Sequence, residues 1–297
     1  MDSAEAINAL RLVSGVSVLA YASVLDLRTR KVPNIHWIGL AAAGLGFILA
    51  QLMLDEKPLE YLLIFVPILA ILADIYWGSE EESAKARFAT IGKYALAVVS
   101  ILLLAYLYGD AEYFQHLLAV PCMMLFVVAL YMLDAIRGGA DAKALISLSI
   151  LFPFYPVFGS YPLLHAHSPS AEILFPFSFG ILVNAAIIVA LTPLAFLVRN
   201  LVNREFEFPL GLLGYRIEAT EVARKHVWLM ESIVDGKHTT HVRPRNQENQ
   251  SSDIDLLVKA GHRRVWVTPK IPFIVPILAS LILTVAVGNL LLLIFPL

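Results

Sequence analysis

"LVSGVSVLAYASVLDLRTRKVPN", residues 12–34, opens on fourteen residues without a charge and ends in a cluster of them. Asp26, Arg28, Arg30 and Lys31 follow the apolar run closely, and Pro33 and Asn34 come after them. An apolar segment that stops at a basic loop reads as a membrane helix reaching the cytoplasmic side, where Lys and Arg accumulate. The cations suit the C-terminal end of a helix dipole. Asp26 does not, because a carboxylate there opposes it. One residue that breaks a local rule beside several that obey it is a candidate functional group.

The rest of the chain extends the first half of that reading. Of its 297 residues, 59% are hydrophobic and 15% charged, against about 25% charged in a soluble domain. The apolar residues come in blocks: 35–54, 58–78, 94–109, 113–133, 173–198 and 271–297 are nearly free of charge, and several reach the roughly 20 residues a helix needs to cross a bilayer. Segments 5–25, which contains Arg11, and 142–158, which contains Pro153 and Pro156, are weaker candidates. The expectation is an all-α polytopic membrane protein of about eight transmembrane helices. A small mixed α/β cytoplasmic insert precedes the last span. The domains follow: a membrane core over 1–199, a soluble insert over 200–270 and a final helix over 271–297.

Charge sets the orientation. The stretches 26–34, 78–93, 135–143 and 199–270 hold 20 of the 22 Lys and Arg residues; only Arg11 and Lys57 fall outside them. The intervening loops carry Asp55, Glu56, Asp110, Glu112 and Glu172. The four basic stretches are therefore placed in the cytoplasm, with both termini outside. The net charge of −2 points neither toward nucleic acid nor away from it. The single cysteine, Cys122, can build neither a disulfide framework nor a Cys-rich zinc site. It is read as a small buried apolar residue, and no metal-ligand spacing appears elsewhere.

Within 200–270, Thr220 is expected to cap a helix running to about Ser232, with a turn at Asp235-Gly236. A second helix is expected from Ser252 or Asp253 to Gly261, and a strand over "RRVWVTP". His238 and His241 are assigned to a solvated loop.

Ionisable groups in or beside hydrocarbon are costly and suggest function. Asp26, Asp74, Asp134 and Asp141 qualify. Asp74 is read as snorkelling or bonding a neighbouring helix, and Asp134 as pairing with Arg137 at i, i+3. Asp141 follows Gly138, Gly139 and Ala140 and opens an apolar run, so it falls at a helix N-terminus, where the dipole favours a carboxylate. On local grounds alone an ordinary helix start, with Asp as cap and Gly-Gly as turn, explains Asp141 better than a functional role does. Topology adds what local features lack: Asp26 ends an inward span and Asp141 begins an outward one, at one cytoplasmic depth. Two such carboxylates, if close, share a proton and titrate as a unit.

Together "DLRTRKVPN" and "GGADAKAL" resemble the type IV prepilin peptidase family, specifically its archaeal preflagellin peptidases. The resemblance runs from the first span to "VWVTPKIPFIVPI" near the end. It implies a polytopic aspartic protease with Asp26 and Asp141 as the catalytic pair, supported by Arg28, Pro33, Asn34, Gly138, Gly139, Ala140 and Lys143. It implies no cofactor and no metal. The substrate it implies is an archaellin or pilin-like precursor, cut at the cytoplasmic membrane face between a short basic leader and an apolar helix. Glu80, Glu81 and Glu82 are then placed to attract that leader. The tetracysteine domain of the bacterial enzymes is absent. Three other readings stay open, one of them a scaffold that assembles a filament machine with the 200–270 insert as its binding surface. A presenilin or signal-peptide-peptidase type protease shares the Gly-rich second motif, but Leu25 precedes Asp26 where that family has Tyr. A proton-coupled transporter would use Asp26, Asp74 or Asp141 as relays.

Overall fold

The computed structural model describes residues 3–78, 83–164, 169–234, 236–242, 250–270 and 272–293. The chain divides into two compact units, one running to Ala186 and resuming at Pro272, the other covering Ile187–Ile271.

The first unit is helical. It contains α1 (Ser3–Thr29), α2 (Asn34–Leu54), α3 (Phe65–Trp77) after a 3-10 turn at Leu59–Ile64, α4 (Ala84–Tyr108) and α5 (Glu112–Met132). The short α6 (Gly139–Leu151) and α7 (Pro169–Leu174) follow. Then come α8 (Phe177–Ala190), whose last residues pass into the second unit, α9 (Thr192–Val202) and α10 (Leu210–Leu213), both within the second unit.

Six segments among the described residues are long and apolar enough to cross a membrane: Ala4–Thr29, Asn34–Leu54, Leu59–Trp77, Lys85–Tyr108, Glu112–Met132 and Phe177–Val202. The protein is therefore read as a membrane protein; six of the eight expected spans meet this length, and the count of eight is not confirmed. The two shortfalls have physical causes. Helix α6 has 13 residues, about 20 Å of rise; it stops at Phe152, before Pro153, whose ring and missing N–H disfavour continuation. The C-terminal helix α12 (Ile274–Ala286) also has 13 residues. It ends just before Gly288, whose φ of +105° turns the chain against the Leu164 carbonyl.

Helix α6 occupies the core. From Ala144 to Leu151 every residue is buried, including Ser147 and Ser149, whose hydroxyls donate to the carbonyls of Trp37 (3.1 Å) and Ile146 (2.7 Å). A helix apolar on every side belongs in an interior rather than at a surface. Helix α2 packs along it closely: a Cβ added at Gly44 would lie 2.9 Å from the Leu151 amide nitrogen and 3.0 Å from the Ile150 carbonyl carbon. These are backbone atoms and cannot swing aside. Gly44→Ala is expected to force α2 and α6 apart and lower stability by about 2 kcal/mol or more, read as a drop in the melting temperature of the detergent-solubilised protein.

Far along α1 from Asp26, Arg11 is almost wholly buried, and its Nε and Nη2 have no hydrogen-bond partner among the described residues. Asp55 and Tyr113, joined by a 3.0 Å hydrogen bond, are close enough to act on its charge. Cys122 is exposed on α5 rather than buried as expected, and lines a cavity of about 660 Å³ with Gln115, Phe126 and Phe179. Its wall of α5 simply faces away from the core helices.

The second unit holds β1 (Tyr215–Glu218), β2 (Val227–Leu229), β3 (Glu231–Val234), β4 (Lys237–Thr240), α11 (Gln250–Lys259) and β5 (Arg264–Pro269). Strand β5 is central, antiparallel to β1 and β2, while β3 and β4 form a hairpin. The expected helix from Thr220 to Ser232 is instead a 3-10 turn, Ala219–Arg224, followed by β2 and the start of β3. The β-branched and aromatic residues of "VWLMESIV" favour a pleated, half-buried surface over a helix. Of the two histidines assigned to a solvated loop, His238 lies in a strand instead, while His241 is in the loop just past β4. His238 sits in β4, bonded to the buried Glu231 (3.0 Å) and stacked on His262, and His241 reaches Ser232 at 2.7 Å. Asp235 and residues 243–249 of the polar run lie outside the described residues.

Candidate active site

The first motif is built as a tight helix-to-helix corner. Helix α1 carries Asp26 into its last turn, where the Asp26 carbonyl accepts the Arg30 N–H at 3.0 Å. Arg30 has φ of 57°, a left-handed turn that ends the helix. The Thr29 hydroxyl donates to Leu25 O (2.9 Å) and lies 3.0 Å from Lys31 O, holding the corner shut. Pro33 is then the extended N-cap residue of α2, and Asn34 is its first helical residue.

The second motif begins where α5 ends. Asp134 (φ 57°) reverses the chain, Gly138 is the N-cap of α6, and Asp141 is the third residue of that helix. The Asp141 side chain folds back over Gly138. A Cβ at 138 would meet the carboxylate itself, lying 2.8 Å from its Cγ and closer still to Oδ2. Gly138 is thus required for the space above its Cα, since its φ of −88° and ψ of 115° are open to any residue.

Three contacts set the two motifs side by side. Lys143 Nζ donates to Asn34 Oδ1 at 2.9 Å, Ser147 Oγ donates to Trp37 O at 3.1 Å, and Gly44 abuts Ile150 and Leu151. The partners advance together along both helices, so α2 and α6 run parallel and start at the same end. The corner that carries Asp26 immediately precedes α2. Asp26 and Asp141 consequently come to one end of the bundle, near enough that the Asp26 charge acts on Asp141.

Asp141 lies outside the six membrane-length segments. Burial, reinforced by the Asp26 charge, pushes its carboxyl up from 3.8 to about 7. The dipole of α6 favours the anion, yet desolvation outweighs it here. Arg30 is the cation whose charge acts on Asp26. Arg28 points to the exposed surface and forms no ion pair among the described residues.

The remaining candidates separate clearly. Gly139 is near only the Tyr131 hydroxyl end, at 3.6 Å from its added Cβ, and Ala140 packs against the core. Asp74 contacts both Lys93 and Tyr94 of α4, so it is a tie between helices α3 and α4. Asp134 is exposed and forms no ion pair with Arg137 among the described residues. Glu80, Glu81 and Glu82 lie outside the described residues. Sequence reasoning passed over Tyr76, whose ring lies 5.5 Å from Lys143 Nζ. It lies in an apolar span where an aromatic residue is unremarkable, and nothing local marks it.

Residues 207–290 match the family described as Archaeal Peptidase A24 C-terminus Type II. A preflagellin peptidase of Methanococcus voltae is 27% identical over 203 residues, 65% of this chain and 83% of the relative. One from Methanocaldococcus jannaschii is 28% identical over 162 residues, 51% of this chain and 63% of its own length. A third, from Methanococcus maripaludis, is 25% identical over 287 residues, 94% of this chain and 96% of the relative. The chain is related to the preflagellin peptidases. The last of these matches extends through both compact units, so the likeness to the preflagellin peptidases is not limited to the C-terminal segment.

Proposed function

We propose that the chain is a membrane aspartic endopeptidase that removes the short basic leader of an archaellin or pilin-like precursor. Relatives named preflagellin peptidase support a peptidase that processes signal peptides. The observation that carries the finer reading is the parallel packing of α2 on α6, which brings Asp26 and Asp141 to one end of the bundle, near enough for the Asp26 charge to act on Asp141. The excess of basic residues in the loops at that end supports a cytoplasmic-face site. The acidic run Glu80–Glu82, between α3 and α4 in sequence, is assigned to the basic leader.

In this mechanism Asp141, the carboxyl held protonated by burial, is the general acid and Asp26 the base. Asp26 takes a proton from a water molecule as its oxygen attacks the scissile carbonyl carbon. Asp141 gives its proton to the carbonyl oxygen, producing a neutral tetrahedral diol. Asp26 then delivers the proton it holds to the amide nitrogen. The C–N bond breaks, and the proton of one diol hydroxyl returns to Asp141. Leader carboxyl and mature amino terminus leave, and the pair again holds one proton.

The test is incubation of the purified protein with a preflagellin and detection of the shortened product. Its pH dependence has a definite form. Above about 7, where Asp141 loses its proton, no acid remains and the rate is expected to fall about tenfold per pH unit. At sufficiently acid pH both groups are protonated, no base remains, and the rate falls again. A cleavage rate that stays flat from about pH 4 to 9 contradicts the two-carboxylate mechanism.

A further inference from the structure

Lys143 is placed against its local electrostatics. It lies in the N-terminal part of α6 and against the first residue of α2, and the positive end of each helix dipole repels a cation. It stays because two groups from other helices hold it. Asn34 Oδ1 accepts from Nζ at 2.9 Å, and the Tyr76 ring of α3 lies 5.5 Å from it, within the reach of a cation–π contact. Both partners have anchors of their own. Asn34 follows the Pro33 N-cap at the Asp26 corner, and two residues before Tyr76, Asp74 ties α3 to Lys93 and Tyr94 of α4. Lys143 lies two residues beyond Asp141 on α6. The ammonium therefore ties α6, which carries Asp141, to the first residue of α2, just past the corner that follows Asp26, with α3 as a third point of attachment.

We propose that Lys143 and Tyr76 are positioning residues that set the separation of Asp26 and Asp141 by bracing α6 against α2 and α3. Among the described residues the ammonium bonds no carboxylate; its action is geometric, through Asn34 and the ring. This inference rests on the peptidase reading for its consequence on rate, but the brace itself is measurable without activity.

In the full-length protein, Lys143→Met is expected to lower kcat about 20-fold, since misplacing reacting groups by about 1 Å can cost 10², with KM within about twofold of the parent. Lys143→Arg, which keeps a donor and a cation for the ring, is expected to recover most of the rate. Asn34→Ala breaks the same tie, so the double variant is expected to be no slower than either single one. Tyr76→Leu, which removes the ring, lowers kcat more than Tyr76→Phe, which keeps it. Separately, in a Cys122→Ser background, Asp26→Cys and Asp141→Cys are joined with a short bismaleimide, and Lys143→Met is expected to slow that crosslink at least about fivefold, with Lys143→Arg restoring it.

Losses that multiply in the double variant, or a crosslinking rate untouched by Lys143→Met, each overturn the brace. If the parent cleaves no precursor, the peptidase reading falls while the crosslink still decides the brace.

Discussion

Asp26→Asn and Asp141→Asn are each expected to lower precursor cleavage by about 10³-fold or more, because removal of either member of a unit that acts together costs nearly the whole catalytic effect. A carboxamide at 26 cannot take a proton from water, and one at 141 cannot release a proton to the carbonyl oxygen. The two losses are expected to be similar, and the double variant no worse than either. A transporter using these groups as relays predicts no product from any of the proteins, parent included. Full cleavage by either single variant removes the two-carboxylate mechanism.

Stability tells a dead active site from a misfolded protein in the same experiment. Asp141 is raised from 3.8 to about 7 in the fold, so its contribution to stability is fully present below 3.8 and is lost as pH rises through about 7. Asn carries no such dependence. Asp141→Asn is therefore expected to melt a few degrees above the parent at about pH 8, with the advantage shrinking toward about pH 5. An inactive variant that melts higher than its parent has lost chemistry and kept its fold. A lower melting temperature at pH 8 contradicts the buried, proton-holding carboxyl.

Gly138→Ala is expected to reduce kcat about 10²-fold while changing the melting temperature little. The backbone at 138 accepts alanine, and its new methyl meets the end of a side chain, that of Asp141, rather than another backbone. The carboxylate can rotate away, so the helix survives and the geometry of the pair does not. Gly44→Ala gives the opposite pattern, because its methyl meets the backbone of Ile150 and Leu151 and has nowhere to go. Gly139→Ala, with only an ordinary 3.6 Å contact to Tyr131, is expected to cost less rate than Gly138→Ala. Equal losses at 138 and 139 contradict the assignment of Gly138 to making room for Asp141.

Long, charge-poor segments made most of the membrane helices legible before any coordinates, because the bilayer thickness demands a length that shorter core helices do not need. At 142–158 the helix is shorter than the apolar stretch. Its apolar composition suits a crossing, but Pro153 stops it as a short helix enclosed by protein. Composition cannot distinguish an apolar surface turned to lipid from one turned to other helices. The helix expected from Thr220 to Ser232 failed for a related reason, since a plausible cap and an acidic first turn carry less weight than β-branched residues that find partners in a sheet.

Charge pattern and the two short motifs determined, from sequence alone, which acids to examine and the expectation that Asp26 and Asp141 lie at one depth. Each is marked by local chemistry, a carboxylate at the wrong helix end and one behind a Gly-Gly pair. Only the tertiary structure decided that Asp74 is consumed by Lys93 and Tyr94, that Tyr76 stands beside Lys143, and that parallel packing of α2 on α6 brings the two motifs to the same end. Helix dipoles and turn chemistry act over a few neighbouring residues and are written in their order. A contact such as Lys143 to Asn34 joins positions 109 apart, and arises only when the close approach at Gly44 and the burial of α6 have chosen which helices touch.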